Sequence, residues 1–193
     1  MRATATTYQN PLLQSSGLPA FAAIQSEQVE PAFSYLLAEL EKQLTDLEAN
    51  IEPTWSGLVE PLEKLTERLN WSWGILNHLM GVKNSPELRI TYEKVQPRVV
   101  QFMNILGQSK PIYNAFKAIR NSSTWRTLDS AQQRIVEAAI RDAEFAGVGL
   151  EGKERERFNA IQMELAELAT RFANHVLDAT KGFILILTTP KGH

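Results

Sequence analysis

The chain has 193 residues, with 20 Lys and Arg against 22 Asp and Glu, a formal charge of −2 and no cysteine. The missing thiols exclude a disulfide framework, an iron–sulfur cluster and a cysteine nucleophile. The interspersed charges form no basic field for collecting phosphates, so nucleic acid is not an expected partner.

A chain of this length can bury roughly 70% of its unfolded surface, enough for one domain with its own core. The opening "MRATATTYQNPLL" lacks the apolar centre of a signal peptide, and no run approaches the roughly 20 apolar residues of a membrane span. No membrane partner is expected, and the cytoplasm is the expected compartment. Without a secretory signal, the sequon at Asn121-Ser122-Ser123 reads as chance.

Residues 1–25 contain Pro11, Gly17 and Pro19, with Leu12, Leu13, Leu18, Phe21 and Ile24 at no helical period. They read as an extended arm, part of which lies on another surface. From Ser26, a plausible cap, Val29, Phe33, Leu37, Leu40, Leu44 and Leu47 recur at steps of four and three, the stripe of an amphipathic helix that Pro53 ends. A second stripe runs Leu58, Leu62, Leu65, Leu69, Trp73, Leu76 and Met80. In "KNSPELR", Ser85 can cap a third helix and Pro86 occupies a position where its missing N–H is harmless. The seam of that helix is Leu88, Tyr92, Val95, Val99, Phe102 and Leu106, with a kink expected at Pro97.

Gly107 breaks the pattern, and a short helix with Ile112, Phe116 and Ile119 follows Pro111. A fifth helix begins at Asp129 or Ser130, turns Ile135, Val136, Ala139, Ile140 and Ala143 inward, and stops at "AGVGL". The sixth has the cleanest seam: Phe158, Ile161, Leu165, Leu168, Phe172, His175 and Ala179 alternate steps of three and four along roughly 28 residues, about 42 Å. Gly182 to Thr188 then reads as a β-strand in which Phe183, Leu185 and Leu187 alternate with Ile184 and Ile186. The fold class is therefore all-α, a bundle of about six helices in antiparallel hairpins. It carries an extended arm over 1–25, a helical domain over 26–180 and a short C-terminal β-strand and tail over 181–193. Such a strand, bare on both edges, is expected in the isolated chain to become disordered, to fold onto the bundle or to pair with a second copy; pairing, which makes a homo-oligomer through the strand, is the preferred of the three.

The residue types that carry chemistry have bland readings here. His78, His175 and His193 lie on separate elements with no second His at ligand spacing, and His-Glu-x-x-His is absent. His78 suits a helix terminus, and His175 reads as a hydrogen-bonded core or groove residue. Asp142 with Glu144 and Glu164 with Glu167 read as solvated helix faces. Glu151 with Arg155 and Glu154 with Arg157 read as surface pairs. Trp71 and Trp73, two apart, cannot share one seam, so one is expected at a surface; exposed, it fits a partner or peptide contact, while a half-buried Trp is ordinary in a helical protein.

The strings "NPLLQSSGLPAFAAIQSEQVEPAF", "VKNSPELR", "LDSAQQRIVEAAIRDAEFAGVGL" and "NHVLDATKGF", in this order and spacing, resemble the N-terminal region of oligopeptidase A-type members of the thimet oligopeptidase and neurolysin family of zinc metallopeptidases. The resemblance runs from about Asn10 to Thr189. It implies helices that build one wall of a deep, narrow channel admitting short peptides, facing a catalytic half that carries the zinc. The family's zinc ligands and catalytic Glu lie beyond the region matched, so no catalytic, cofactor-binding or metal residue carries over. The chain by itself is expected to be inactive and to hold no cofactor, with zinc in the full-length family enzyme. Its expected partners are the catalytic half, in cis or in trans, and short peptides along the wall. The alternative is a free-standing helical module that binds peptides or proteins without enzymatic activity.

Overall fold

The computed structural model describes residues 10–14 and 16–186. Six α-helices follow one another in these residues: α1 (Val29–Ala49), α2 (Glu60–Val82), α3 (Pro86–Gly107), α4 (Lys110–Arg120), α5 (Ser130–Phe145) and α6 (Gly152–Gly182). The caps explain several starts. The Ser85 hydroxyl accepts the Leu88 amide, 3.2 Å away. Asp129 accepts the amides of Ala131 and Gln132 while the Gln132 side chain accepts the Asp129 amide, a reciprocal box that places the start of α5 at Ser130. Ser26 is not the cap of α1. It opens a short 3₁₀ turn, Ser26–Gln28, that leads into that helix. At the end of α5, the Gly147 amide returns to the Glu144 carbonyl and that of Val148 to the Ala143 carbonyl. This Schellman closure needs the left-handed φ of +83° that Gly147 adopts.

The core is built by α1 to α4. Val29, Phe33, Leu37, Leu40 and Leu44 of α1 are buried, as are Leu65, Leu69, Ile75 and Leu76 of α2 and Leu88, Tyr92, Val95, Val99 and Phe102 of α3. Phe33 meets Trp73 edge to face at 5.6 Å, and Trp73 stacks on Tyr92 at 4.9 Å. Trp71 and Trp73 are both half-buried against the core, so neither is the surface tryptophan that their spacing suggests. Polar pairs give the helix directions. Glu30 and Ser34 of α1 meet Lys94 and Arg98 of α3, so these helices run parallel, whereas α2, whose Asn77 accepts the Tyr92 hydroxyl, runs against α3. α3 continues unbroken through Pro97, although that residue offers no amide to the Glu93 carbonyl.

Of the described part of the arm, Leu12, Leu13 and Ile24 pack against the core, while residues 16–18 and 21–23 are exposed. Asn10 caps a 3₁₀ turn at Pro11–Leu13 and its side chain donates to the Gln28 carbonyl, at 2.8 Å. Leu12 is 0% exposed, and its carbonyl accepts the buried Ser72 hydroxyl of α2 at 2.7 Å.

The C-terminal end corrects an expectation. α6 extends to Gly182, Phe183–Ile186 have no regular structure, and the described residues contain no strand. The backbone beyond the helix closes on itself instead of on a ladder: the Phe183 amide donates to the Thr180 carbonyl. Leu187 and Thr188, the rest of the expected strand, lie outside the described residues. α6 also departs from its expected packing. None of its residues is buried, and in α5 only Val136 is, with Ile135 turned outward.

Truncating Leu12 to Ala should remove buried methyl groups and leave a cavity between the arm and α2, costing about 2–5 kcal/mol. Urea denaturation should show a lower midpoint with an unchanged slope; an unmoved midpoint would mean that the arm adds nothing to the core.

Candidate functional site: the groove between α3 and α6

Three polar clamps join α6 to α3. At the start of α6, buried Gln108, just past the end of α3, donates to the Ala146 carbonyl at 2.9 Å and to Asn159 Oδ1 at 2.8 Å, and accepts Arg155 Nε at 2.7 Å. In the middle, Gln96 Nε2 donates to the Ala166 carbonyl at 3.0 Å and to Thr170 Oγ1 at 2.8 Å. Near the far end, the Arg89 guanidinium forks onto Asp178, with Nη1 to Oδ2 at 2.8 Å and Nη2 to Oδ1 at 2.5 Å, and Asn84 reaches Asn174 at 3.4 Å. Partner numbers fall along α3 as they rise along α6, so the two helices are antiparallel. "KNSPELR" and "NHVLDAT" thus meet through this last clamp.

Between the clamps the helices leave an open groove with two adjoining cavities of about 600 Å³ and 480 Å³, which share Gln96, Val100 and Ala166. The smaller cavity is lined by Leu69, Trp73, Tyr92 and Val99. Burial of the Tyr92 phenol raises its pKa, so the ring stays neutral. The rim of the larger cavity carries Glu93, Glu164, Glu167 and Arg171. Arg171 lies 3.8 Å from Glu167, a loose pair at the surface. Such a lining can hold apolar side chains and bond amides through the side-chain oxygen of Gln96 and through Asn70 and Gln162; it is suited to binding.

The sequence-weighed residues are dispersed. His78 packs its ring 5.1 Å from Phe21, and His175 is exposed on α6, not a core residue. His193 lies outside the described residues. Among the described residues, no group of three or more His, Asp or Glu side chains is placed to hold a metal ion. The described donor set does not fit zinc, which needs three or four convergent ligands. Glu151 pairs with Lys110, and Arg155 with Gln108, so the expected Glu151–Arg155 helix pair is replaced by contacts to other elements. Glu144 accepts the Tyr113 hydroxyl at 2.8 Å, joining α5 to α4, while Asp142 pairs with Arg141 at 3.4 Å. Glu164 and Glu167 line the groove. Gln96, Gln108 and Arg89 escaped the sequence reading because a polar residue off an apolar seam looks like any solvated one; the polar run Asn159, Thr170 and Asn174 on one side of α6 was the available signal.

Residues 33–155 match the family model of the neurolysin/thimet oligopeptidase N-terminal domain. Over 186 residues the chain is 50% identical to "Probable cytosolic oligopeptidase A" of Arabidopsis thaliana, covering 96% of this chain and 26% of that one. It is equally similar to "Organellar oligopeptidase A, chloroplastic/mitochondrial" of the same plant, covering 96% of this chain and 24% of that one. "Oligopeptidase A" of Salmonella typhimurium is 37% identical over 180 residues, covering 93% of this chain and 26% of that one. The chain thus spans about a quarter of the length of these relatives.

The hydrogen bonds from Arg89 hold the Asp178 carboxyl below its ordinary pKa. A carboxylate depressed on folding stabilises above its unfolded pKa, about 3.9, and that contribution is lost as pH falls through the lowered folded value. Lowering the pH from 6 to below that lowered folded value, or replacing Asp178→Asn at pH 6, should lower the protection factors of amides in the last turns of α6, taken against the intrinsic rate at the same pH, while the α1–α3 core stays protected. Unchanged protection in both cases would show that the fork does not hold the helix.

Proposed function

Because the chain belongs to the neurolysin and thimet oligopeptidase family, as its N-terminal domain, we propose that it serves an oligopeptidase A-like zinc metalloendopeptidase by forming one wall of a channel that admits short peptides. The observation that carries this reading is a match over nearly the whole chain to a quarter of each relative, all of them named oligopeptidases. Zinc and the reacting groups are assigned to the remaining part, and no catalytic residue is assigned to this chain. Its contribution is shape: a layer of helices, stiffened by the clamps between α3 and α6, excludes folded proteins and leaves room for extended peptides.

The catalytic remainder, in the same polypeptide or as a separate one, is the proposed partner, with short peptides as the substrate class. The cytoplasm is the proposed compartment, in line with the printed name of one plant relative. No described helix is long and apolar enough to cross a membrane.

Joined to the remaining three-quarters of the 50% identical plant relative, the chain should support chelator-sensitive cleavage of short fluorogenic peptides and leave folded proteins intact. The 193-residue chain by itself should bind no stoichiometric zinc and cleave nothing. A joined protein that digests folded proteins as readily as peptides would exclude the wall role, and one tightly bound zinc in the isolated chain would exclude the division of labour.

A further inference from the structure

Along α6, Ile161, Leu165, Leu168, Phe172 and Val176 form an apolar stripe, from 37% to 72% exposed; Leu165, at its edge, also lines the smaller cavity of the groove, and the other four lie outside both cavities. The bundle has already taken the other side, through Asn159, Thr170 and Asn174, and took it by polar contacts. A long apolar stripe left bare beside a filled polar one is unlike the scattered exposure of a monomer surface. Its steps of four and three from Ile161 to Phe172 are those of a coiled-coil seam, which accepts the knobs of another helix in preference to a loop or a sheet.

The flanks add chemistry. Arg157, Glu164 and Arg171 follow one another at steps of seven along one edge, alternating in charge, while Ala169 and Ala173 keep the opposite edge low enough for close approach. Past the helix, Phe183–Ile186 are 70–78% exposed and continue from the same end.

We propose that this stripe seats an amphipathic helix from the part of the polypeptide that the longer relatives carry beyond this domain, with an edge that alternates acidic, basic and acidic against Arg157, Glu164 and Arg171. The inference rests on the domain reading above. Tethering decides between this occupant and a second copy: a helix on the same chain faces α6 at an effective concentration in the millimolar range for a short linker, far above that of a free copy.

The joined protein described above supplies the test, read by amide exchange and not by turnover. Amides from Ile161 to Val176 should exchange at least tenfold slower in the joined protein than in the 193-residue chain. The double variant Leu168→Glu/Phe172→Glu should abolish that gain, and the milder Leu168→Ala/Phe172→Ala should reduce it. A control pair on bare α5 positions, Ile135→Glu/Phe145→Glu, should leave it intact. Because the stripe is exposed in the isolated chain, the seam variants should not lower that chain's own melting temperature; a fall there would place the stripe in the domain's own core and overturn the proposal. Equal exchange with and without the remainder also overturns it. So does a 193-residue chain that scatters light as a dimer and becomes a monomer in the double variant, since the occupant is then a second copy. Slowed exchange in an inactive joined protein would leave the docking in place and count against the peptidase reading alone; activity without slowed exchange would do the reverse.

Discussion

The antiparallel contact between α3 and α6 is made by side-chain amides and a guanidinium, and the rest of the site depends on those groups being matched. A Gln at the edge of a core has two donors and an acceptor to satisfy, and leaving one unpaired where water is scarce costs about 1–3 kcal/mol. Gln108, 3% exposed, meets the requirement by taking Ala146, Asn159 and Arg155 together, and this can happen only at one height and one rotation of α6. Hydrophobic contact is tolerant of sliding and turning; this contact is not. The direction in which the apolar stripe of α6 faces is therefore set by its polar side.

That arrangement explains which parts of the molecule could be read from the chain. For α1 to α4 the apolar period and the buried face coincide, because each of these helices presents its stripe to the common core: Val29, Phe33, Leu37 and Leu40, or Leu88, Tyr92, Val95 and Val99. The caps at Ser85 and Asp129 were legible for a local reason, since the side chain and the amides it accepts are at most three residues apart. The period of α6 was equally clear and its burial was not, because period reports that a face is apolar and says nothing about which neighbour covers it. The C-terminal apolar run failed as a strand for a related reason. Alternation describes compatibility with a sheet, while a strand exists only where another supplies the ladder. The groove was illegible from the chain, since Gln96, Asn70 and Gln162 come together only after three helices have packed.

Strength is distributed unevenly as a result. α1, α2 and α3 share the large buried side chains, α4 adds Ile112, Phe116 and Ile119, and α5 contributes Val136 alone. α6 holds on through hydrogen bonds at a half-exposed boundary. Openings that release α5 or α6 expose little apolar surface and lie at the low end of the range of local unfolding energies, whereas any opening of α1 to α3 breaks the core.

The seat of Leu12 also imposes an order in time. Its carbonyl bonds Ser72, sixty residues further along. Leu12 leaves the ribosome before α1 and α2, yet the surface that buries it does not exist until α2 has been made and laid against α1. Closing so wide a loop early would be entropically unfavourable with no contact in return. The Pro11–Leu13 turn thus settles only after α2, and through the synthesis of α1 and most of α2 Leu12 is an uncovered apolar side chain available to any chaperone at the exit tunnel.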